Sequence, residues 1–157
     1  MTTTDVHSLI PEVHISCLRK ELCMEAFCFV RPEHLSHQGF LFGGNLLKWV
    51  DEYAWLAAAR DFPGYTLVTR AMDDIQFTKR VRIGAILRFF TECVKQGSSS
   101  VTYSVNVFAS NPESRDEELV FSTNVVFVAV DNNSNKITLP RLENNPAPAT
   151  QATINPI

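Results

Sequence analysis

The chain has little glycine, little cysteine and almost no net charge: six Gly, four Cys and a formal −3 among 157 residues. A charge so close to balance argues against a protein that grips nucleic acid by neutralising many phosphates. The cysteines stand at 17, 23, 28 and 93, with no C-x-x-C pair and no histidine at zinc-finger spacing. No structural metal centre is therefore expected. Cys17, Cys23 and Cys28 lie in a run of apolar and alternating residues, where a free thiol acts as a small hydrophobe. Uncharged apolar runs of about 18 residues are missing, so no membrane span is expected. The opening MTTTDVHSLIPEVH has neither a basic start nor a signal-length apolar stretch, which makes a reducing cytoplasm the expected location.

What the chain does have is hydrophobic mass: 45% apolar residues, eleven of them Phe. One domain with a real core follows from that length and composition. Its expected bounds are 13–140. A polar, aperiodic stretch over 1–12 and a tail over 141–157 rich in Pro, Asn, Ala and Thr read as flexible ends. Residues 14–31 mix β-branched, aromatic and charged side chains, consistent with a long edge strand. Residues 45–61 predict a helix, stopped by Pro63-Gly64. Its apolar residues, Leu46, Leu47, Trp49, Val50, Tyr53, Ala54, Trp55 and Leu56 among them, run almost all the way round, so burial on nearly every side is expected. Strand-like runs follow at 65–77, 84–96, 99–109 and 119–130. The third alternates cleanly, Val101, Tyr103, Val105, Val107 and Ala109 against Ser100, Thr102, Ser104 and Asn106. Consecutive strands without interleaved helices predict an antiparallel sheet, and a buried helix needs that sheet wrapped around it. The fold class is α+β.

Chemistry is concentrated in PEHLSHQGFLFGGNLLKWVDE, residues 32–52. Gly43 and Gly44 stand just before the expected helix. Glycine lets a ligand approach the backbone, and the first helical N–H groups have no partner inside the helix. Such a terminus favours negative charge, whether a phosphate or the oxyanion of a tetrahedral intermediate. A tight turn packed on the sheet explains the pair equally well. Asp51 lies two turns into an otherwise apolar helix. A carboxylate there must be paired, solvated through a cleft or partly neutralised, and a raised pKa would suit a general base. The alternative makes Asp51 and Glu52 a solvated face beside Lys48. His34, Ser36 and His37 can be drawn with Asp51 as a Ser-His-Asp set, although neighbours in a loop usually point apart.

The order and spacing of these residues resemble the hot-dog-fold acyl-CoA thioesterases, in the branch that forms trimers of dimers. The resemblance continues through Val68-Thr69, Asp74-Ile75-Gln76-Phe77, Gly84, Gly97-Ser98-Ser99-Ser100 and the run from Val126 to Asp131. It implies an antiparallel sheet wrapped around one long helix, and hydrolysis of acyl-CoA to fatty acid and CoA. The aspartate matching Asp51 would activate water or attack the thioester carbonyl. Backbone N–H groups near Gly43 and Gly44 would polarise that carbonyl. Thr69, Ser99 and Ser100 match residues near the reacting or CoA-binding region. The resemblance further implies sites at a homodimer interface, shared with the 32–44 loop of a second chain, and assembly to a hexamer. No cofactor is implied beyond the CoA that belongs to the substrate, and no metal.

Two positions depart from the family pattern. Ser36 stands where the family typically carries Asn, three residues before Gly39 and fifteen before Asp51. Asn offers a fixed donor and acceptor, Ser one rotating hydroxyl on a shorter arm. That difference keeps open a protein that binds acyl-CoA with weak or no turnover. Arg80 stands where Pro often follows a Lys. The resulting Lys79-Arg80-Val81-Arg82 is the strongest local basic cluster, fit to meet CoA phosphates, with Lys79 the first choice; a solvated turn is the alternative. Two other rivals are weighed. A hot-dog hydratase would pair an acid with a helical His, which this helix lacks, and a purely structural subunit would need no carboxylate in its helix.

Overall fold

The computed structural model describes residues 23–114 and 116–142. Strand β1 (Cys23–Phe29) leads through a 3-10 turn (Pro32–His34) into helix α1 (Gly43–Asp61). Strands β2 (Thr66–Phe77), β3 (Ile86–Gln96), β4 (Ser100–Ser110) and β5 (Glu117–Val130) follow. They form one antiparallel sheet in the order β1-β3-β4-β5-β2, curled around the helix. This is the hot-dog architecture expected from the pattern. The four later strands fall within two residues of their expected bounds. Of the strand expected over 14–31, residues 23–29 are in β1 and residues 14–22 lie outside the described residues, as do 1–12 and 143–157 of the expected flexible ends.

Period-two alternation explains the sheet. In β4, Val101, Tyr103, Val105 and Val107 are fully buried while the residues between them face out. Their partners on β5 continue the inner face, Val101 opposite Phe127, Tyr103 opposite Val125 and Val107 opposite Phe121. Leu87 and Phe89 of β3 complete it. Each such side chain, once out of water, contributes about 1.5–3 kcal/mol.

The helix meets this concave face along one stripe, Leu46, Val50, Ala54, Ala57 and Ala58, at helical spacing. The stripe ends in alanines, Ala54, Ala57 and Ala58, which share one core cluster with the large rings of Phe62, Phe89 and Tyr103. Burial on nearly every side is not what one chain achieves. Trp55 and Leu56, outside the stripe, are each 43% exposed, because a single sheet covers only one side of a cylinder. Cys28 and Cys93 are free thiols, whereas Cys23 is disulfide-bonded, against the expectation of a free thiol. Spacing identifies C-x-x-C pairs but is silent on a bridge made by the fold.

Candidate active site

Asp51 lies beside the buried stripe, on the flank of α1 that faces edge strand β2. The Thr69 hydroxyl of β2 donates to Asp51 Oδ1 at 2.8 Å. One helical turn on, the Trp55 indole N–H donates to the Leu67 carbonyl at 3.2 Å. Leu67 and Thr69 share the inner face of β2, so two hydrogen bonds fasten this flank to one strand. Asp51 is half-buried, neither the fully enclosed carboxylate nor the freely solvated one. Among the described residues its second oxygen, Oδ2, accepts no hydrogen bond, which leaves it for a water or a substrate atom.

Gly43 and Gly44 are not ahead of the helix; they are its first two residues. The Phe42 carbonyl takes the N–H groups of Asn45 and Leu46, so those of Gly43 and Gly44 have no acceptor within the helix. The preceding loop is tied down from both sides. Phe42 N–H and the Asn45 side-chain amide both donate to the His34 carbonyl, each at 3.0 Å. A Cβ on Gly43 would touch the Phe77 ring at 3.4 Å, and one on Gly44 would meet the Phe42 ring at 2.6 Å.

Ser36 sits in a tight turn closed by its own N–H to the Phe40 carbonyl at 2.7 Å, with Gly39 at φ +78°. The Ser36 hydroxyl accepts the Gln38 N–H at 3.3 Å. His34 Nδ1 accepts the Arg31 N–H at 3.1 Å, and its ring stacks edge-on to Trp49. Both side chains are thus committed to local structure. Among the described residues no hydrogen bond joins Ser36, a histidine and Asp51, so the Ser-His-Asp drawing is not assembled.

The sequence-marked residues fall into two groups in one chain. Gly43 and Lys79 line one cleft of about 340 Å³ together with Leu46, Phe77, Phe40 and Arg80. Lys79 is ion-paired there with Glu118. Ser36 belongs to the loop beside it. At the other end of β2 are Asp51, Thr69, and Ser99 and Ser100 at the start of β4. Thr69 pairs with Phe127, which pairs with Val101. Ser100 is one residue before Val101, on the opposite face of the sheet, and the Ser99 carbonyl accepts the Ala129 N–H. From Gly43 to Asp51 is about 12 Å of helix. From Phe77 to Thr69, counted by their β5 partners Phe121 and Phe127, is about 20 Å of strand. One carbonyl cannot touch both groups of a single chain.

Burial holds the carboxyl of Asp61, the last residue of α1, above its ordinary range. Desolvation raises it, while the Tyr103 hydroxyl, donating at 2.6 Å, and the charge of Arg60 pull the other way. Burial also pushes the neighbouring Cys93 thiol up to about 11, with Asp61's charge adding to it, and raises Tyr103 for the same two reasons. Sequence reasoning missed this cluster. The available signal was an acid at a helix C-terminus, where the macrodipole disfavours it.

The thioesterase superfamily model matches residues 38–115. An uncharacterised acyl-CoA thioester hydrolase of Haemophilus influenzae is 30% identical over 117 residues, spanning 73% of this chain and 75% of that one. The chain belongs to the thioesterase superfamily. Within it, this member also matches the mouse acetyl-coenzyme A thioesterase, 34% identical over 64% of this chain, but spans only 18% of that much longer protein. Among solved structures of the superfamily, an acyl-CoA hydrolase of Staphylococcus aureus, determined with butyryl-CoA and CoA, superposes with TM-score 0.70 at 26% identity. The match covers 76% of this chain and 73% of that one. The same hydrolase has been solved with alanine in place of an aspartate, a threonine and an asparagine. A hexameric broad-specificity acyl-CoA thioesterase superposes with TM-score 0.67 at 29% identity, covering 76% of this chain and 82% of that one.

Proposed function

We propose that this superfamily member hydrolyses acyl-CoA to a fatty acid and CoA, in sites built from two copies of the chain. The observation that carries this reading is the Thr69–Asp51 hydrogen bond on the open edge of the sheet. It holds a carboxylate with one free oxygen where a second chain can reach it. Strand β2 is that edge, with Val68, Ile75 and Phe77 each at least 43% exposed along it. An unpaired edge of this kind invites another strand. Two copies related by a two-fold axis would lay their β2 strands antiparallel. Each Asp51 end would then face the other copy's Gly43 end, which reconciles two half-sites that one chain keeps apart.

In such a site Asp51 takes a proton from water as it attacks the thioester carbonyl, or attacks that carbonyl itself to form an anhydride that water then hydrolyses. The N–H groups of Gly43 and Gly44 stabilise the oxyanion, and the intermediate collapses with loss of the CoA thiolate. Thr69 fixes the rotamer of Asp51. Ser36 borders the site from the 32–44 loop, while Lys79, Ser99 and Ser100 serve the CoA portion. A homodimer, assembled further to a hexamer like the superfamily structure described above, is the matching quaternary state, and the cytoplasm the matching compartment. The second reading, a protein that binds acyl-CoA without turnover, draws on Ser36, whose hydroxyl is already engaged by its own turn.

The test is chromatographic release of CoA from acyl-CoAs of rising chain length, by wild type and Asp51→Asn together. Loss of turnover in Asp51→Asn, with oligomer and CoA affinity kept, supports the hydrolase. Undiminished turnover would remove Asp51 from the chemistry. Binding without release by wild type would favour the second reading.

A further inference from the structure

The basic run 79–82 is divided by the fold. Val81 is buried, and its carbonyl accepts the Leu41 N–H at 2.9 Å, which pins the middle of the run to the 32–44 loop. Arg80 and Arg82, on either side of it, are thrown outward. Both return to one ring, with guanidinium carbons 5.1 and 5.4 Å from the Phe40 centroid. Phe40 thus gathers two cations within about a Debye length, roughly 10 Å at 0.1 M salt, where they repel each other. Among the described residues neither arginine has a carboxylate partner, whereas Lys79 is already neutralised by Glu118.

Arg80 is also where two clefts meet. The first is the Gly43 cleft described above. The second, of about 480 Å³, is lined by Arg80 and Arg82 together with Asn111, Glu113, Glu118 and the exposed Phe29. A ligand running from the start of α1 into this second cleft passes both guanidinium groups. Paired, unneutralised arginines at that passage suit a phosphate, which takes forked N–H donors well.

We propose that Arg80 and Arg82, gathered on Phe40, form a clamp for the phosphates of the CoA moiety, with Lys79 secondary. This rests on the acyl-CoA reading above and adds to it the residues that recognise the nucleotide end. The clamp holds the ligand away from the reacting carbonyl, so it acts on binding and leaves the chemical step alone.

Arg80→Gln, Arg82→Gln, the double variant and Lys79→Gln test it, since glutamine keeps much of the stem and removes the charge. Calorimetry with CoA should show affinity reduced about tenfold by each arginine change, further in the double variant, and less by Lys79→Gln. Adenosine 3′,5′-bisphosphate should compete with CoA in wild type and not in the double variant. In turnover, KM should rise for an acyl-CoA and stay unchanged for the matching acyl-pantetheine, with kcat constant for both. Unaltered CoA affinity, an equal KM rise for both esters, or a Lys79→Gln loss as large as either arginine's would overturn the clamp. If wild type binds CoA through these arginines yet releases no CoA from its esters, the clamp stands and the hydrolase reading falls.

Discussion

At the scale of single residues, what matters about Asp51 is its partner. An aspartate on a helix flank next to solvent turns freely, but one receiving a hydroxyl hydrogen bond at 2.8 Å keeps one oxygen fixed and the other aimed. Thr69→Val removes the donor and keeps the shape of the side chain. Its kcat is expected to fall on the order of tenfold to a hundredfold, a fraction of what a general base supplies, with KM and thermal midpoint near wild type. Steady-state kinetics beside a melting curve check this, and an unchanged kcat would mean that Asp51 is positioned by something else. Asp51 was legible in the sequence as a lone carboxylate on an apolar helix; Thr69 was legible only as a strand residue near the proposed site. That its hydroxyl meets Asp51 depends on where an edge strand passes a helix eighteen residues earlier. Asp61 was legible only as an acid at a helix C-terminus, because its hydrogen bond comes from Tyr103 of β4, 42 residues further along the chain.

At the scale of elements, the start of α1 separates a stability role for glycine from a functional one. Gly43 occupies a helical position and has no positive φ, so the helix itself does not require glycine there. Alanine is the better helix former by about 1 kcal/mol, and its Cβ would make only ordinary contact with Phe77. Gly43→Ala is therefore expected to melt at or slightly above the wild-type temperature. Its kcat/KM should nonetheless drop on the order of tenfold or more, as the new methyl crowds the N–H groups assigned to the oxyanion. A variant both as stable and as active as wild type would free those N–H groups of any catalytic part. Sequence reasoning placed the two glycines ahead of the helix. Glycine weighs against helix in any propensity argument, and only the Phe42 carbonyl, free to accept from Asn45 and Leu46, starts the helix two residues sooner.

For the molecule as a whole, the Asp61–Tyr103–Cys93 cluster makes stability depend on pH in one direction. All three groups favour their protonated forms in the fold, chiefly because burial penalises the charged ones. A group whose pKa is raised by folding contributes fully below its unfolded value and loses that contribution as pH climbs through the folded one. For Cys93 the loss runs from its ordinary 9.0 to about 11. Tyr103 adds a loss of its own from its ordinary 10.0 upward. The urea midpoint is expected to fall steadily above pH 9. Cys93→Ala should abolish the part that begins near pH 9 and keep the part that begins near pH 10. A midpoint with the same pH profile in both proteins would show that Cys93 titrates normally in the fold.

The sequence by itself determined the strands, the helix and the superfamily. Each rests on local periodicity or on a run of neighbouring residues, and both survive in one dimension. It also marked most of the residues proposed for the site. Only the tertiary structure decided how those residues group. The register of β2 on β5 and the packing of α1 put Asp51 with Thr69 at one end, and Gly43 with Lys79 at the other. The same packing sent Arg80 and Arg82 to Phe40, forty residues away in sequence. These are contacts between distant segments, set by which side chains fill the space between helix and sheet, and no spacing along the chain encodes them.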